Sequence, residues 1–164
     1  MQENYKTERL LLNKLSLHDA DLIFELLNSE GWKRFIGDRN INTKEDAVNY
    51  IHKINNAPGI TYWAVRLQEK QIPIGLVTLI KRDYLDHNDI GFAFLPQHAK
   101  QGYAFEAASA VLDELLNSGD HSTILATTLK DNVSSIQLLT KLGLAFEREI
   151  TVGNEKLSLY AIQK

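Results

Sequence analysis

The sequence predicts one α+β domain: a mixed, mostly antiparallel central sheet with a parallel β-α-β crossover and helices on both faces. Three observations predict it. Apolar stripes at helical spacing alternate with short β-branched runs through the first half of the chain. In the second half a strand, a long Ala/Leu helix and a second strand follow one another, an order that forces a parallel, right-handed crossover. Finally, the 164 residues contain no repeat, low-complexity tract or Pro/Gly/Ser-rich linker that would divide them, so residues 1–164 are expected to form a single domain.

Each element has its own signal. Arg9 to Lys14 reads as the first strand, and Ser16 precedes a helix carrying Ala20, Leu22, Ile23, Leu26 and Leu27 on one stripe. The polar stretch from Asn28 to Asn42 shows no period and reads as irregular. Thr43-Lys-Glu-Asp then opens a second helix through Ile54, closed by Asn55-Asn-Ala-Pro-Gly. Thr61–Leu67 and Ile72–Ile80 are β-branched runs joined by the polar Gln68-Glu-Lys-Gln, which suits a hairpin. A further strand, Asp89–Leu95, stops at Pro96. Ala104, Ala107, Ala108, Val111, Leu112, Leu115 and Leu116 then mark the clearest helix, over 102–117. Ser122–Thr128 is its returning strand, Asn132–Leu142 a helix stopped by Gly143, and Leu144–Ile150 with Lys156–Ile162 a closing hairpin around Val152-Gly-Asn.

Composition narrows the function. With 44% hydrophobic and 24% charged residues the chain resembles ordinary globular proteins, far from the composition of disordered ones. The absence of cysteine excludes disulfides, thiolate metal sites and a cysteine nucleophile. A net charge of −3 gives no support to nucleic-acid binding. No apolar run approaches a membrane span and the first residues lack a signal peptide, so a cytoplasmic location is expected. The histidines, His18, His52, His87, His98 and His121, form no His-x-x-x-His or His-Glu-x-x-His pair, so no metal is implied. Trp32 and Trp63 read as core residues before ligand contacts.

The chemistry is expected where the crossover helix begins. That end of a β-α-β unit presents unpaired N–H groups and a helix dipole that favour an anion. The segment there is Pro96-Gln-His-Ala-Lys-Gln-Gly-Tyr-Ala-Phe-Glu-Ala, in which Gly102 and Ala104 admit a ligand to the backbone and Lys100 adds a charge. There is no Gly-Lys-Ser/Thr for a Walker loop. Asp89-Ile-Gly-Phe-Ala-Phe-Leu-Pro lies just before it, and Asp131-Asn-Val-Ser-Ser-Ile-Gln-Leu-Leu-Thr-Lys-Leu-Gly follows.

Together these segments resemble the GNAT superfamily of N-acetyltransferases. Thr7-Glu-Arg-Leu-Leu-Leu12 is similar to the opening of the Rim-type branch, which acetylates ribosomal-protein N-termini. The resemblance runs from Thr7 to Phe146 and implies the acyl-CoA N-acyltransferase fold, with acetyl-CoA as co-substrate. It implies a pyrophosphate loop at Ala99, Lys100, Gln101, Gly102, Tyr103 and Ala104, and a pantetheine arm lying along Phe92, Ala93, Phe94 and Leu95 as an added strand would. Ala99 stands where the family usually has Gln or Arg, and Lys100 where it often has Gly, so a side-chain donor and freedom of φ are expected to be missing. Asn132 and Ser135 match the family's Asn-x-x-Ser, Ser135 facing the thioester, and Asp89 occupies the place of a strand carboxylate that accepts the amine proton. An N-cap for Asn132 and a turn-ending role for Asp89 are the plainer readings of the same residues.

The expected reaction is transfer of an acetyl group to a primary amine by direct attack on the thioester, with no covalent enzyme intermediate. At pH 7 an α-amino group of pKa about 7.8 costs about 1 kcal/mol to deprotonate, against about 5 for lysine. A protein or peptide N-terminus is therefore the expected acceptor. A polyamine or antibiotic amine and a non-catalytic acyl-CoA sensor are the competing readings, and a monomer or homodimer is expected.

Overall fold

The computed structural model describes residues 1–164. Eight strands form one sheet in the order β1-β2-β3-β4-β5-β6-β8-β7. They are β1 (Asn4–Lys6), β2 (Leu10–Lys14), β3 (Ile60–Leu67), β4 (Pro73–Ile80), β5 (Asp89–Phe94), β6 (Thr123–Thr128), β7 (Ala145–Val152) and β8 (Glu155–Gln163). The helices are α1 (Ala20–Leu27), α2 (Glu30–Phe35), α3 (Lys44–Asn56), α4 (Tyr103–Asn117) and α5 (Val133–Lys141). Every neighbouring pair is antiparallel except β5 with β6. The α+β class, the mixed sheet and the crossover are as the sequence predicts.

Alternation along the strands sorts side chains to two faces. Trp63, Val65, Val77, Ile90, Ile124 and Ala126 pack with Ala107, Val111, Leu112 and Leu115 of α4 on one face. Tyr62, Ala64 and Leu76 pack with the stripes of α1 and α3 on the other. Leu112 and Leu115 are essentially inaccessible, and each such burial contributes about 1.5–3 kcal/mol. Both tryptophans belong to these cores, Trp63 with its Nε1 donating to Gln2 O at 3.1 Å.

Three local readings change. The Asn28–Asn42 stretch contains α2, capped by Ser29, whose side chain accepts from Trp32 N. Six residues are too few to display a helical period. Strand β1 was not visible either: it spans three residues and is held by pairing to β2 and by the edge-on contact of Tyr5 with Trp63, 5.7 Å between centroids. Ser16 caps a 3-10 turn, Leu17–Asp19, and α1 itself begins at Ala20.

Candidate active site

The site is built around an opening in the sheet. β5 runs beside β4 over its whole length, but β5 and β6 meet only at Asp89↔Leu125, where Leu125 N donates to Asn88 O at 2.9 Å. Beyond that point the two parallel strands separate. Leu95 N donates to Ile74 O of the β4 side at 2.8 Å, so by the two-residue alternation the amides of Ala93 and Leu95 turn to β4. Those of Phe92 and Phe94 turn into the opening. Of the residues proposed to bind an arm there, Phe92 and Phe94 present main-chain groups, Ala93 lies between them half-buried, and the buried Leu95 joins the α1/α3 core.

Glycines shape this edge. A Cβ on Gly75 of β4 would lie 2.5 Å from the Phe94 ring, so glycine there lets that ring lie against the neighbouring strand. On Gly91 a Cβ would come within 2.6 Å of Thr78 Oγ1.

At the end of β5 the chain turns through Pro96–His98 and Ala99–Gly102 into α4. Lys100 takes φ 62° and Gly102 φ 83°, both left-handed. The loop adopts the glycine-like conformation with a lysine in it, at a cost of about 1 kcal/mol that a glycine, with its greater freedom of φ, would not incur. Gly102 is the N-cap and has no side chain to satisfy the helix, and Glu106 N returns to Gly102 O at 3.0 Å. The N–H groups of Tyr103, Ala104 and Phe105 have no protein acceptor. Ala99, Lys100 and Gln101 are exposed.

The helix that follows β6, the other strand flanking the opening, is α5. Asn132 is its N-cap, its side chain accepting from Ser135 N at 3.4 Å, so the plain capping role is realised. Ser135 is half-buried and its hydroxyl has no protein hydrogen bond.

Asp89 sits where β5 and β6 diverge, only 3% exposed, with Oδ2 accepting from Arg82 Nε at 2.6 Å. Burial pushes its carboxyl above the ordinary range, and the guanidinium pulls it part of the way back. Its other oxygen carries no protein hydrogen bond. Arg82 was missed in the sequence, where only its position seven residues ahead of Asp89 across a turn hints at the pair. Also missed was a cluster behind the loop: Glu106 accepts from Thr7 Oγ1, from Arg9 N at 2.9 Å and from Arg9 Nε at 2.7 Å. Burial works to raise the Glu106 carboxyl, but these hydrogen bonds hold it below its usual range. Arg34 of α2 approaches Asp131, just before α5, to 3.9 Å, with both side chains exposed. Tyr50 and Tyr62 share a hydroxyl contact of 3.1 Å nearby. No cluster of three His, Asp or Glu side chains is placed to hold a metal, and no helix is long and apolar enough to cross a membrane.

Residues 9–145 match the acetyltransferase (GNAT) domain family. Among solved structures, a GNAT-family acetyltransferase from Bacillus anthracis is 28% identical, with a TM-score of 0.82 over 98% of both chains. RimL, a ribosomal L7/L12 alpha-N-protein acetyltransferase solved with coenzyme A, is 12% identical, with a TM-score of 0.81 over 96% of this chain and 95% of its own. The microcin C7 self-immunity acetyltransferase MccE, solved with acetyl-CoA and AMP, is 16% identical, with a TM-score of 0.83 over 96% and 94%. At such identities these last two share the fold, and neither selects an acceptor for this chain.

Proposed function

The chain belongs to the GNAT acetyltransferase family, and from that premise we propose that it transfers an acetyl group from acetyl-CoA to a primary amine, a protein or peptide N-terminus. One observation carries the reading: an unpaired strand edge, Phe92 to Phe94, leads straight to a helix whose first amides have no protein acceptor. The residues present fit the donor. The open amides of Tyr103, Ala104 and Phe105, with Lys100 as a point charge, would hold a pyrophosphate. The main chain of Phe92 and Phe94 would pair with the amides of a pantetheine arm. Acetyl-CoA supplies an acyl group already activated as a thioester, so no enzyme nucleophile is required.

The remaining roles fall to this chain. The Phe94 N–H, directed into the opening, stabilises negative charge developing on a carbonyl oxygen. The unengaged hydroxyl of Ser135 donates to a departing thiolate. Asp89, through its free oxygen and a water, takes the proton of the amine, and Arg82 fixes the carboxylate's orientation. An α-amino group suits so modest a base, since only about 1 kcal/mol is needed to expose its neutral form at pH 7. The Thr7–Leu12 opening supports the N-terminal acceptor by its likeness to the Rim-type branch.

The test is thiol release from acetyl-CoA against N-terminal peptides, polyamines and aminoglycosides, with calorimetric acetyl-CoA binding alongside. Peptide-dependent release is expected. Release only with a small amine replaces the acceptor, and binding without release leaves a sensor. Asp89→Asn is expected to lower turnover on the order of a hundredfold, and an unchanged rate removes Asp89 from the mechanism. Its pH signature is separate. Because the folded carboxyl titrates above its unfolded value, its contribution to stability is complete below an unfolded pKa of about 3.9 and is lost as pH rises through the folded value. Urea unfolding from pH 4 to 7 should show this decline in the wild type and not in Asp89→Asn.

A further inference from the structure

The Thr-Glu-Arg-Leu opening is unused by the reaction above, yet it is tied to the phosphate end of the site. Arg9 precedes β2 and lies more than ninety residues from α4, and its guanidinium is directed wholly at the start of that helix. Nε donates to Glu106 Oε1 at 2.7 Å, Nη1 donates to Gln101 O at 3.0 Å, and the guanidinium lies 4.4 Å from the centre of the Tyr103 ring. A Cβ on Gly102 would sit 3.3 Å from Nη2, so the guanidinium closes over the one N-cap residue that has no side chain. Glu106 is itself fixed by the Thr7 hydroxyl and the Arg9 amide.

The consequence is directional. In a trans peptide the C=O and the following N–H point opposite ways. With Gln101 C=O turned to Arg9, the Gly102 N–H is turned away from it, to the side where the loop meets solvent. The loop also holds Lys100 in the left-handed region, which lysine disfavours and which therefore needs an outside restraint. Within the loop the Ala99 amide bonds back to Pro96 O at 3.2 Å, but Ala99 has no side-chain donor to restrain the turn that follows it.

We propose that Arg9, fixed by Glu106 and Thr7, is a positioning residue for the phosphate-binding loop, holding the Gln101–Gly102 peptide so that its amide and those of the first turn of α4 converge on an anion. Arg9 is not itself the phosphate ligand. Its fork is already divided between Glu106 and Gln101, and the cleft of about 260 Å³ beside it is also lined by Glu8 and Glu69, whose carboxylates repel phosphate. The proposal rests on the acetyl-CoA reading above, so its test includes an arm that needs no cofactor.

In the free protein, Arg9→Lys retains a charge for Glu106 but cannot bridge Glu106 and Gln101 with a planar fork. Backbone 15N relaxation should show order parameters at 100–103 falling from about 0.85 toward 0.6 in this variant and in Arg9→Ala, with β3 and β4 unchanged. With ligand, calorimetry should show coenzyme A bound about tenfold more weakly by both variants, the scale of one lost charge-assisted hydrogen bond. Acetyl-pantetheine, which lacks the pyrophosphate, should be turned over at the wild-type rate, and kcat with saturating acetyl-CoA should be unchanged. Equal losses with acetyl-CoA and acetyl-pantetheine, or order parameters that do not move, overturn the proposal. A wild type that binds no coenzyme A while its loop loosens in Arg9→Lys overturns the cofactor reading and leaves the restraint standing.

Discussion

Two helices follow the strands that flank the opening, α4 after β5 and α5 after β6, and they are finished differently. α5 is closed by its own sequence: the Asn132 side chain takes Ser135 N, Asn132 O takes Ile136 N at 3.1 Å, and Asp131 O takes Val133 N at 3.0 Å. α4 begins at a glycine, and its first three amides are left without acceptors. A side-chain cap exceeds a glycine N-cap by only about a few tenths of a kcal/mol, so the glycine start of this 15-residue helix forgoes little stability. On the proposed reading the two ends divide the labour: one helix is fixed so that Ser135 stays in place, while the other keeps its donors for a ligand and takes its rigidity from Arg9.

The comparison breaks most completely if α4 is made to resemble α5. Gly102→Asp places a carboxylate at the N-cap, where it accepts from the open amides, repels phosphate and competes for Arg9. It also puts a Cβ at φ 83°. Coenzyme A affinity is expected to fall about a hundredfold by calorimetry, with the helix itself retained by circular dichroism. Unchanged affinity would mean that these amides do not receive the pyrophosphate.

The smaller effect belongs to α5. Ser135→Ala leaves the Asn132 cap intact, because the cap bonds to the Ser135 amide and not to its hydroxyl. Turnover should drop about tenfold while coenzyme A binding is spared. An equal loss of binding would move Ser135 from the departing thiol to the pantetheine arm, and an unchanged rate would remove it altogether.

What was legible in the sequence follows the range of the interaction that decides it. The stripe of α4 and the β-branched runs of β3 and β4 are local, so their elements and order were readable, as was the Gly153 turn, where φ 61° at the first position suits a two-residue hairpin. The strand ahead of the loop was readable too, from the Asp89–Leu95 run and the Pro96 that ends it. The separation of β5 from β6 was not readable, because it depends on pairing that fails to form. Arg9 with Glu106 and Arg82 with Asp89 join residues that no period relates, and each is decided by the packed sheet. α2 and β1 are too short to carry a pattern and exist through packing, α2 by burying its own Trp32 in one core and β1 by setting Tyr5 against Trp63 of the other.

Lys100 is where local preference and tertiary demand oppose each other most plainly, and its replacement gives the smallest effect. A lysine at φ 62° costs about 1 kcal/mol relative to glycine, whereas glycine adds backbone freedom to the unfolded chain, worth about 0.5 kcal/mol or more. Lys100→Gly should therefore stabilise the free protein by no more than about 0.5 kcal/mol in urea unfolding, without altering the loop. It also removes an exposed charge from beside the anion site, so acetyl-CoA binding should weaken a few-fold at low salt and converge on the wild type at high salt. The signs are opposite, and that separates the two roles. If stability falls, the left-handed turn at 100 is not what holds the loop open, and if affinity rises with stability, the lysine obstructs the site that α4 leaves uncapped.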